Sequence, residues 1–269
     1  MSPLQFVSKR WLGSINAHLF RGKAFSGRRP YTFLPLIKKL GIEHVIISGD
    51  LSTTSFVKEF REAEGFVARI EEEGASVTLI PGNHDHYTRL ACRNRHFYNH
   101  FPERYGTGSL KTDRLTYGPL CDGWSLIALD TTRAAGLFAS TGYFSHEVEG
   151  RLEKAIGDVR AGDRILLLNH FPFFENENPK RHLIRARALR RLLERFPQVQ
   201  LYLHGHTHRH SLIDMRESRL PIVTDSGSLA HTGRGSWNLI DLERDRCTIA
   251  VQMWRDGWST AREEVYTWD

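Results

Sequence analysis

Five side chains with metal-binding chemistry stand at the ends of short apolar runs. Asp50 follows His44 to Ile47 through Ser48-Gly49, and Asn83 follows Val77 to Ile80 through Pro81-Gly82. His170 follows Ile165 to Leu168 through Asn169, and His206 and His208 follow Val199 to Leu203 through His204-Gly205. Singly, an Asp after Gly serves a turn and a lone His serves a hydrogen bond. Together, one carboxylate, one carboxamide oxygen and three imidazoles make a mixed O/N donor set suited to borderline divalent ions such as Mn, Fe or Zn, and not to a thiolate zinc site. Gly49, Gly82 and Gly205 let the backbone turn sharply and approach an ion or a phosphate without a Cβ in the way. In an extended backbone His206 and His208, at i and i+2, point to the same side, so each is expected to serve one of two neighbouring ions. A carboxylate such as Asp50 bridges ions about 3.5–4 Å apart, the spacing at which two metals clamp an in-line displacement at phosphorus.

The elements that must carry these residues alternate in type. The four apolar runs read as buried strands. Helical patterns lie between them, over Tyr31 to Leu40, Phe56 to Glu73, Ser145 to Val159 and His182 to Phe196, with Ser55 and Ser145 placed to cap the second and third. Strand and helix in alternation predict an α/β fold whose strand ends gather on one edge, where such sheets place their sites. After His208 the runs Pro221 to Val223, Asn238 to Leu242 and Cys247 to Val251, separated by Gly-rich or charged turns, predict antiparallel strands. No repeat or linker divides the 269 residues, so a single domain over 1–269 is expected.

Charge and cysteine usage narrow the setting. No run of 18 apolar residues occurs, and no apolar stretch follows the basic residues near Met1, so neither a membrane span nor a signal peptide is expected. Cys92, Cys121 and Cys247 are widely spaced and contain no CxxC pair, which suits reduced thiols in the cytoplasm. The net charge of +6 is concentrated: Lys180, Arg181, Arg185, Arg187, Arg190, Arg191 and Arg195 face a single acid, Glu194, across residues 180–195. Ile184, Ala188, Leu192 and Phe196 give that stretch an apolar stripe. Its basic face reads as a solvated helix surface, or as a rim that attracts anions or touches a membrane surface peripherally. It lacks the interleaved aromatics and motifs of a nucleic-acid module, so no nucleic-acid partner is expected.

The motifs Gly49-Asp50, Gly82-Asn83-His84-Asp85, Asn169-His170 and Gly205-His206-Thr207-His208, in this order, resemble those of the calcineurin-like metallophosphoesterases, over roughly residues 40 to 250. The resemblance implies a two-sheet sandwich flanked by helices (αββα) and a dinuclear site of Mn, Fe or Zn. Asp50 would bridge the ions, Asn83, His170 and His206 would complete the second site, and His208 would belong to the first. His84 would be the non-ligand histidine that protonates the leaving oxygen or steadies phosphoryl charge, with Asp85 as its support, and the nucleophile would be hydroxide generated on the ions. The family begins with a strand ending in Asp-x-His, which holds the first ion. That motif does not precede Asp50 here; Asn16-Ala17-His18 is a poor substitute, and Phe6 to Gly13 is similar to the segment after that strand in a bacterial subgroup. The expectation is a chain that begins downstream of its first strand and binds one ion tightly rather than two. The subgroup includes enzymes similar to a chlamydial UDP-diacylglucosamine hydrolase and phosphodiesterases of cyclic nucleotides. The alternative is the same fold kept as a binding scaffold with its chemistry impaired; the missing motif favours it, and the retained histidines oppose it.

Overall fold

A computed structural model of the chain describes residues 24–103, 106–134, 139–174 and 178–268. Asn16-Ala17-His18 and Phe6 to Gly13 lie outside the described residues. The elements, in order, are α1 (Leu34–Leu40), β1 (His44–Ile47), α2 (Val57–Glu72), β2 (Ser76–Leu79), α3 (Arg89–Arg93), α4 (His96–His100), β3 (Thr107–Ser109), β4 (Leu115–Cys121), β5 (Trp124–Leu129), β6 (Gly142–Tyr143), α5 (His146–Asp158), β7 (Arg164–Leu168), β8 (Leu183–Ile184), α6 (Ala186–Arg195), β9 (Val199–His204), β10 (Ser211–Asp214), β11 (Ile222–Asp225), β12 (Ser236–Leu242), β13 (Arg246–Trp254) and β14 (Trp258–Thr267).

Seven strands form one sheet in the order β10-β11-β9-β7-β5-β4-β3. Its centre, β11-β9-β7-β5, is parallel, and antiparallel strands close both sides. Because side chains alternate across a strand, each central strand feeds two cores. Trp124, Leu126, Ala128, Leu166, Leu168, Leu201 and Leu203 pack with Ile37, Phe60, Val67 and Ile249, the side that carries α1, α2, β1, β2 and β13. Ile127, Leu129, Ile165, Leu167, Val199 and Tyr202 face the other way, against Val148, Leu152 and Ile156 of α5 and Leu189, Leu192 and Leu193 of α6. The layers are therefore helix, sheet, strands, helix, the sandwich expected from the resemblance. The second strand layer is in two pieces among the described residues: β1 pairs in parallel with β2, and β12-β13-β14 form a separate antiparallel sheet.

Two local expectations are corrected. Ser55 does not cap α2: it sits at φ +59° and gives its hydroxyl to the carbonyls of His84 and Asp85. Glu59 closes the first turn of α2 instead, accepting from the N–H of Phe56 at 2.9 Å. The helix expected from His182 begins only at Ala186, because Leu183 and Ile184 pair with β6 and Arg185 turns the chain at φ +65°. Ser145 does cap α5, accepting from Val148 N–H at 3.1 Å.

The two cores make a direct prediction. Leu126→Ala and Ile127→Ala, adjacent but on opposite faces, should each lower the free energy of unfolding by about 2–5 kcal/mol. Urea denaturation reads both, and a loss under about 1 kcal/mol at either position means that its face is not packed.

Candidate metal centre

The site forms because parallel strands stop at one edge and hand over to loops. β1 leads through Ser48-Gly49 to Asp50, β2 through Pro81-Gly82 to Asn83 and His84, β7 to His170, and β9 to His206 and His208. The first two loops touch closely. Gly49 lies at φ +105°, and a Cβ there would sit 2.5 Å from the N of Gly82, so both its conformation and the contact demand glycine. Asp85, fully buried, fastens the loops together. It accepts from Leu51 N–H at 3.2 Å, Ser52 N–H at 2.7 Å, Ser52 Oγ at 2.9 Å and Gly82 N–H at 2.8 Å. Burial, and then the charge on Asp50, push its carboxyl up to about 7 against these donors.

Around that frame the donors converge. The Oδ1 of Asn83 lies 3.1 Å from His170 Nε2 and 2.7 Å from His206 Nδ1. His170 Nε2 is 3.6 Å from Asp50 Oδ1, and His208 Nε2 is 3.4 Å from Asp50 Oδ2. Ligands held at about 2.0–2.2 Å on one ion stand about 2.8–3.6 Å from one another; the two contacts of His170, at 3.1 and 3.6 Å, fall in that range, and the 2.7 Å between Asn83 and His206 is slightly shorter. Among the described residues no group of three His, Cys, Asp or Glu is close enough to hold an ion alone; the amide oxygen of Asn83 is the common neighbour of two imidazoles.

The unused nitrogen of each imidazole is also fixed. His170 gives Nδ1–H to the carbonyl of Ser48 at 2.7 Å, and His206 gives Nε2–H to the carbonyl of Arg181 at 2.8 Å. The opposite nitrogen of each ring faces Asn83 Oδ1, which also only accepts, so an ion held on that side would leave the proton at the backbone carbonyl and take up the ring lone pair, as a metal ligand requires. Burial and the neighbouring His170 hold His206 down at about 3, so it is neutral near pH 7. Burial alone would raise Asp50, but His170, His84 and His208 hold its carboxyl well below the usual range and keep it ionised. His84 directs Nδ1–H to the carbonyl of Thr53 at 2.7 Å, stacks on Tyr87 and donates its backbone N–H to Asp50 Oδ1 at 2.9 Å. The ring of His84 is thus steadied by Thr53 and Tyr87, while the hydrogen bonds of Asp85 go to the loops.

The segment after β9 departs from the extended geometry expected of it. His206 and His208 adopt φ +69° and +55°, positions that non-glycine residues occupy at a cost of about 1–3 kcal/mol where the surroundings enforce them. The two rings therefore diverge, His206 to Asn83 and His208 to Asp50. Asp225 enforces this turn: it accepts from Thr207 Oγ1 at 2.6 Å and Gly227 N–H at 2.8 Å, beside the buried His204. Asp225 escapes the sequence reading although it too ends an apolar run before Ser226-Gly227. The carbonyls of Ser48, Thr53 and Arg181 carry no side-chain signal at all. Of the basic residues in the stretch 180–195, Arg185 pairs with Glu149, Arg190 with Glu194 and Arg195 with Glu153, so much of that charge is spent within the fold.

Counting donors gives an expected titration. Asp50, Asn83, His170 and His206 surround one position, whereas His208 meets only the second oxygen of Asp50. Calorimetry with Mn²⁺ or Zn²⁺ should find about one tight ion per chain; His206→Ala should abolish it, and His208→Ala should change its affinity by less than about tenfold. Equal losses in the two variants, or two tight ions, would contradict this assignment.

The sequence profile of the calcineurin-like phosphoesterases matches residues 27–210, more than half of the chain. No curated protein sequence matches significantly. Among solved structures, a dimetal phosphatase from Danio rerio superposes with a TM-score of 0.64 at 14% identity, covering 88% of this chain and 87% of that one. A purple acid phosphatase from yellow lupin (Lupinus luteus) superposes with a TM-score of 0.63 at 13% identity, covering 91% of this chain and half of the lupin enzyme. At such identity these likenesses show the fold alone. With the profile match over that length, and the same residues gathered in space, the chain belongs to the calcineurin-like phosphoesterase family.

Proposed function

We propose that this protein hydrolyses a phosphoester or pyrophosphate bond with the help of divalent ions held by Asp50, Asn83, His170, His206 and His208. The observation that carries the reading is the pair of imidazoles, His170 and His206, each held by a backbone carbonyl at one nitrogen and aiming the other at the amide oxygen of Asn83. Nothing in simple packing calls for that arrangement. When bound, such ions polarise a phosphoryl oxygen and lower the pKa of water toward about 7. The chain supplies the remainder. Asp50 and Asn83 present oxygen donors from two loops that Asp85 holds in register. His84 lies beside Asp50, and because a carbonyl accepts its Nδ1–H in either charge state, Nε2 is the nitrogen assigned to carry a proton to a leaving oxygen or to face developing phosphoryl charge. A nucleotide-linked lipid such as UDP-diacylglucosamine, or a cyclic nucleotide, falls within this substrate class.

The reading is tested with two phosphodiesters, one bearing p-nitrophenolate and one bearing an alkyl alcohol as leaving group. The Mn²⁺-loaded chain should hydrolyse both, and Asp50→Asn or His206→Ala should abolish both activities. His84→Ala should slow release of the alcohol by about 10²–10⁴-fold and release of p-nitrophenolate much less, since only the alkoxide needs a proton. Equal slowing would remove His84 from the role of acid; no turnover by the metal-loaded chain would favour a binding scaffold.

A further inference from the structure

The loop between β11 and β12, residues 226–235, contains no acidic residue and carries His231 and Arg234. Residues 24–26 hold it beside the metal centre. Ser26 N–H donates to Ala230 and Thr232 N–H to Ala24, both at 2.8 Å, which sets Phe25 opposite His231 in an antiparallel bridge. The ring of Phe25 then contacts two imidazoles edge to face, His208 with centres 5.6 Å apart and His231 with centres 5.4 Å apart. One aromatic ring thus joins the loop histidine to a residue of the site.

The proton of His231 has a fixed place. Gly233 N–H and Arg234 N–H both donate to its Nδ1, at 3.1 and 3.0 Å. That nitrogen therefore presents its lone pair to the turn, and the neutral ring carries its hydrogen on Nε2. Burial, and then the charges of Arg234, His208 and Arg29, hold the basicity of this ring below the ordinary histidine range, so it is neutral near pH 7. A metal ion finds no ligand in it, because its one in-plane lone pair is already engaged. What the ring offers is an N–H donor, on the side away from the turn.

The positive charge around that donor is not neutralised. Arg29 gives Nη1 to the carbonyls of His231 and Thr232 and lies over the ring of Trp254, 4.5 Å from its centre. Arg234 is exposed. Neither guanidinium has a carboxylate partner among the described residues, unlike Arg185, Arg190 and Arg195. An N–H donor flanked by two uncompensated cations repels a cation and attracts an anion.

We propose that His231 and Arg234 form an anion subsite at the His208 edge of the metal centre, where the Nε2–H of His231 and the guanidinium of Arg234 hold an anionic oxygen of the phosphorylated substrate. This rests on the site taking a phosphoryl ligand, as proposed above. His231 binds and orients that ligand, and proton transfer is left to His84.

Two substitutions separate binding from support of the turn, because the amide oxygen of Asn takes the place of Nδ1 and the amide nitrogen of Gln that of Nε2. Calorimetry follows inorganic phosphate binding to the Mn²⁺-loaded chain. His231→Asn keeps the acceptor for the turn and loses the outward N–H; it should weaken phosphate about 10- to 100-fold and leave the Tm within about 2 °C. His231→Gln keeps the outward N–H and should stay within about threefold of the unsubstituted chain while its Tm falls. Arg234→Met should weaken phosphate at least about tenfold. The reverse pattern, with Asn binding normally and Gln weakened, overturns the proposal. So does a chain that binds no phosphate, or a long-range proton–nitrogen correlation spectrum of the metal-free chain that puts the His231 hydrogen on Nδ1. Phosphate affinities as predicted without turnover of the two phosphodiesters would support the subsite and count against hydrolysis; turnover with phosphate affinity unchanged in His231→Asn would do the opposite.

Discussion

The buried carboxylate of Asp85 is the constraint on which the site depends. Four donors from two loops converge on it, and hydrogen bonds of this kind contribute about 0.5–1.5 kcal/mol each. Adjacent parallel strands bring the ends of β1 and β2 near one another, but the sheet alone leaves the loops beyond them free to diverge. Asp85 draws Leu51, Ser52 and Gly82 onto one point, which presses Gly49 against Gly82 and aims Asp50 and Asn83 into the same space. Because the loops meet backbone to backbone, glycine is required at the contact, and the family's Gly-Asp and Gly-Asn-His-Asp motifs follow from that geometry.

A second level of order comes from backbone carbonyls. Ser48, Thr53 and Arg181 meet one ring nitrogen each of His170, His84 and His206, orienting the rings without any further ionisable group. Arg181 belongs to the turn Pro179–Arg181 before β8, so the short β6-β8 pairing also bears on the orientation of His206. The cost of crowding imidazoles is visible in the low basicity of His206, and the same crowding keeps Asp50 charged. A neutral His206 beside an ionised Asp50 suits a cation.

How much of this the sequence discloses depends on which atoms do the work. The strands β1, β2, β7 and β9 are legible because each is a mostly apolar run closely followed by Gly or Asn, and the residues placed on their ends do gather at one edge. The fold class follows from the same alternation. By contrast β5, Trp124–Leu129, is buried throughout, apolar but for Ser125, and carries no period by which to tell strand from helix, and β14, Trp258–Thr267, is largely polar on an exposed sheet. The helix expected from His182 fails because a pairing partner, β6, lies forty residues away in sequence. The turn through His206 and His208 differs from the extended backbone expected there because Asp225, a tertiary partner, imposes the left-handed conformation. Main-chain carbonyls leave no trace in side-chain chemistry, so the ring orientations have no sequence signal.

The central claim, that Asn83 is the shared donor of a metal centre built by locked histidines, is tested most directly by anomalous diffraction at the Mn edge from crystals grown with Mn²⁺. The account predicts a peak within about 2.0–2.3 Å of Asn83 Oδ1, His170 Nε2, His206 Nδ1 and a carboxylate oxygen of Asp50. A peak coordinated elsewhere on the chain, or rings of His170 and His206 turned so that the opposite nitrogens face Asn83, would contradict it.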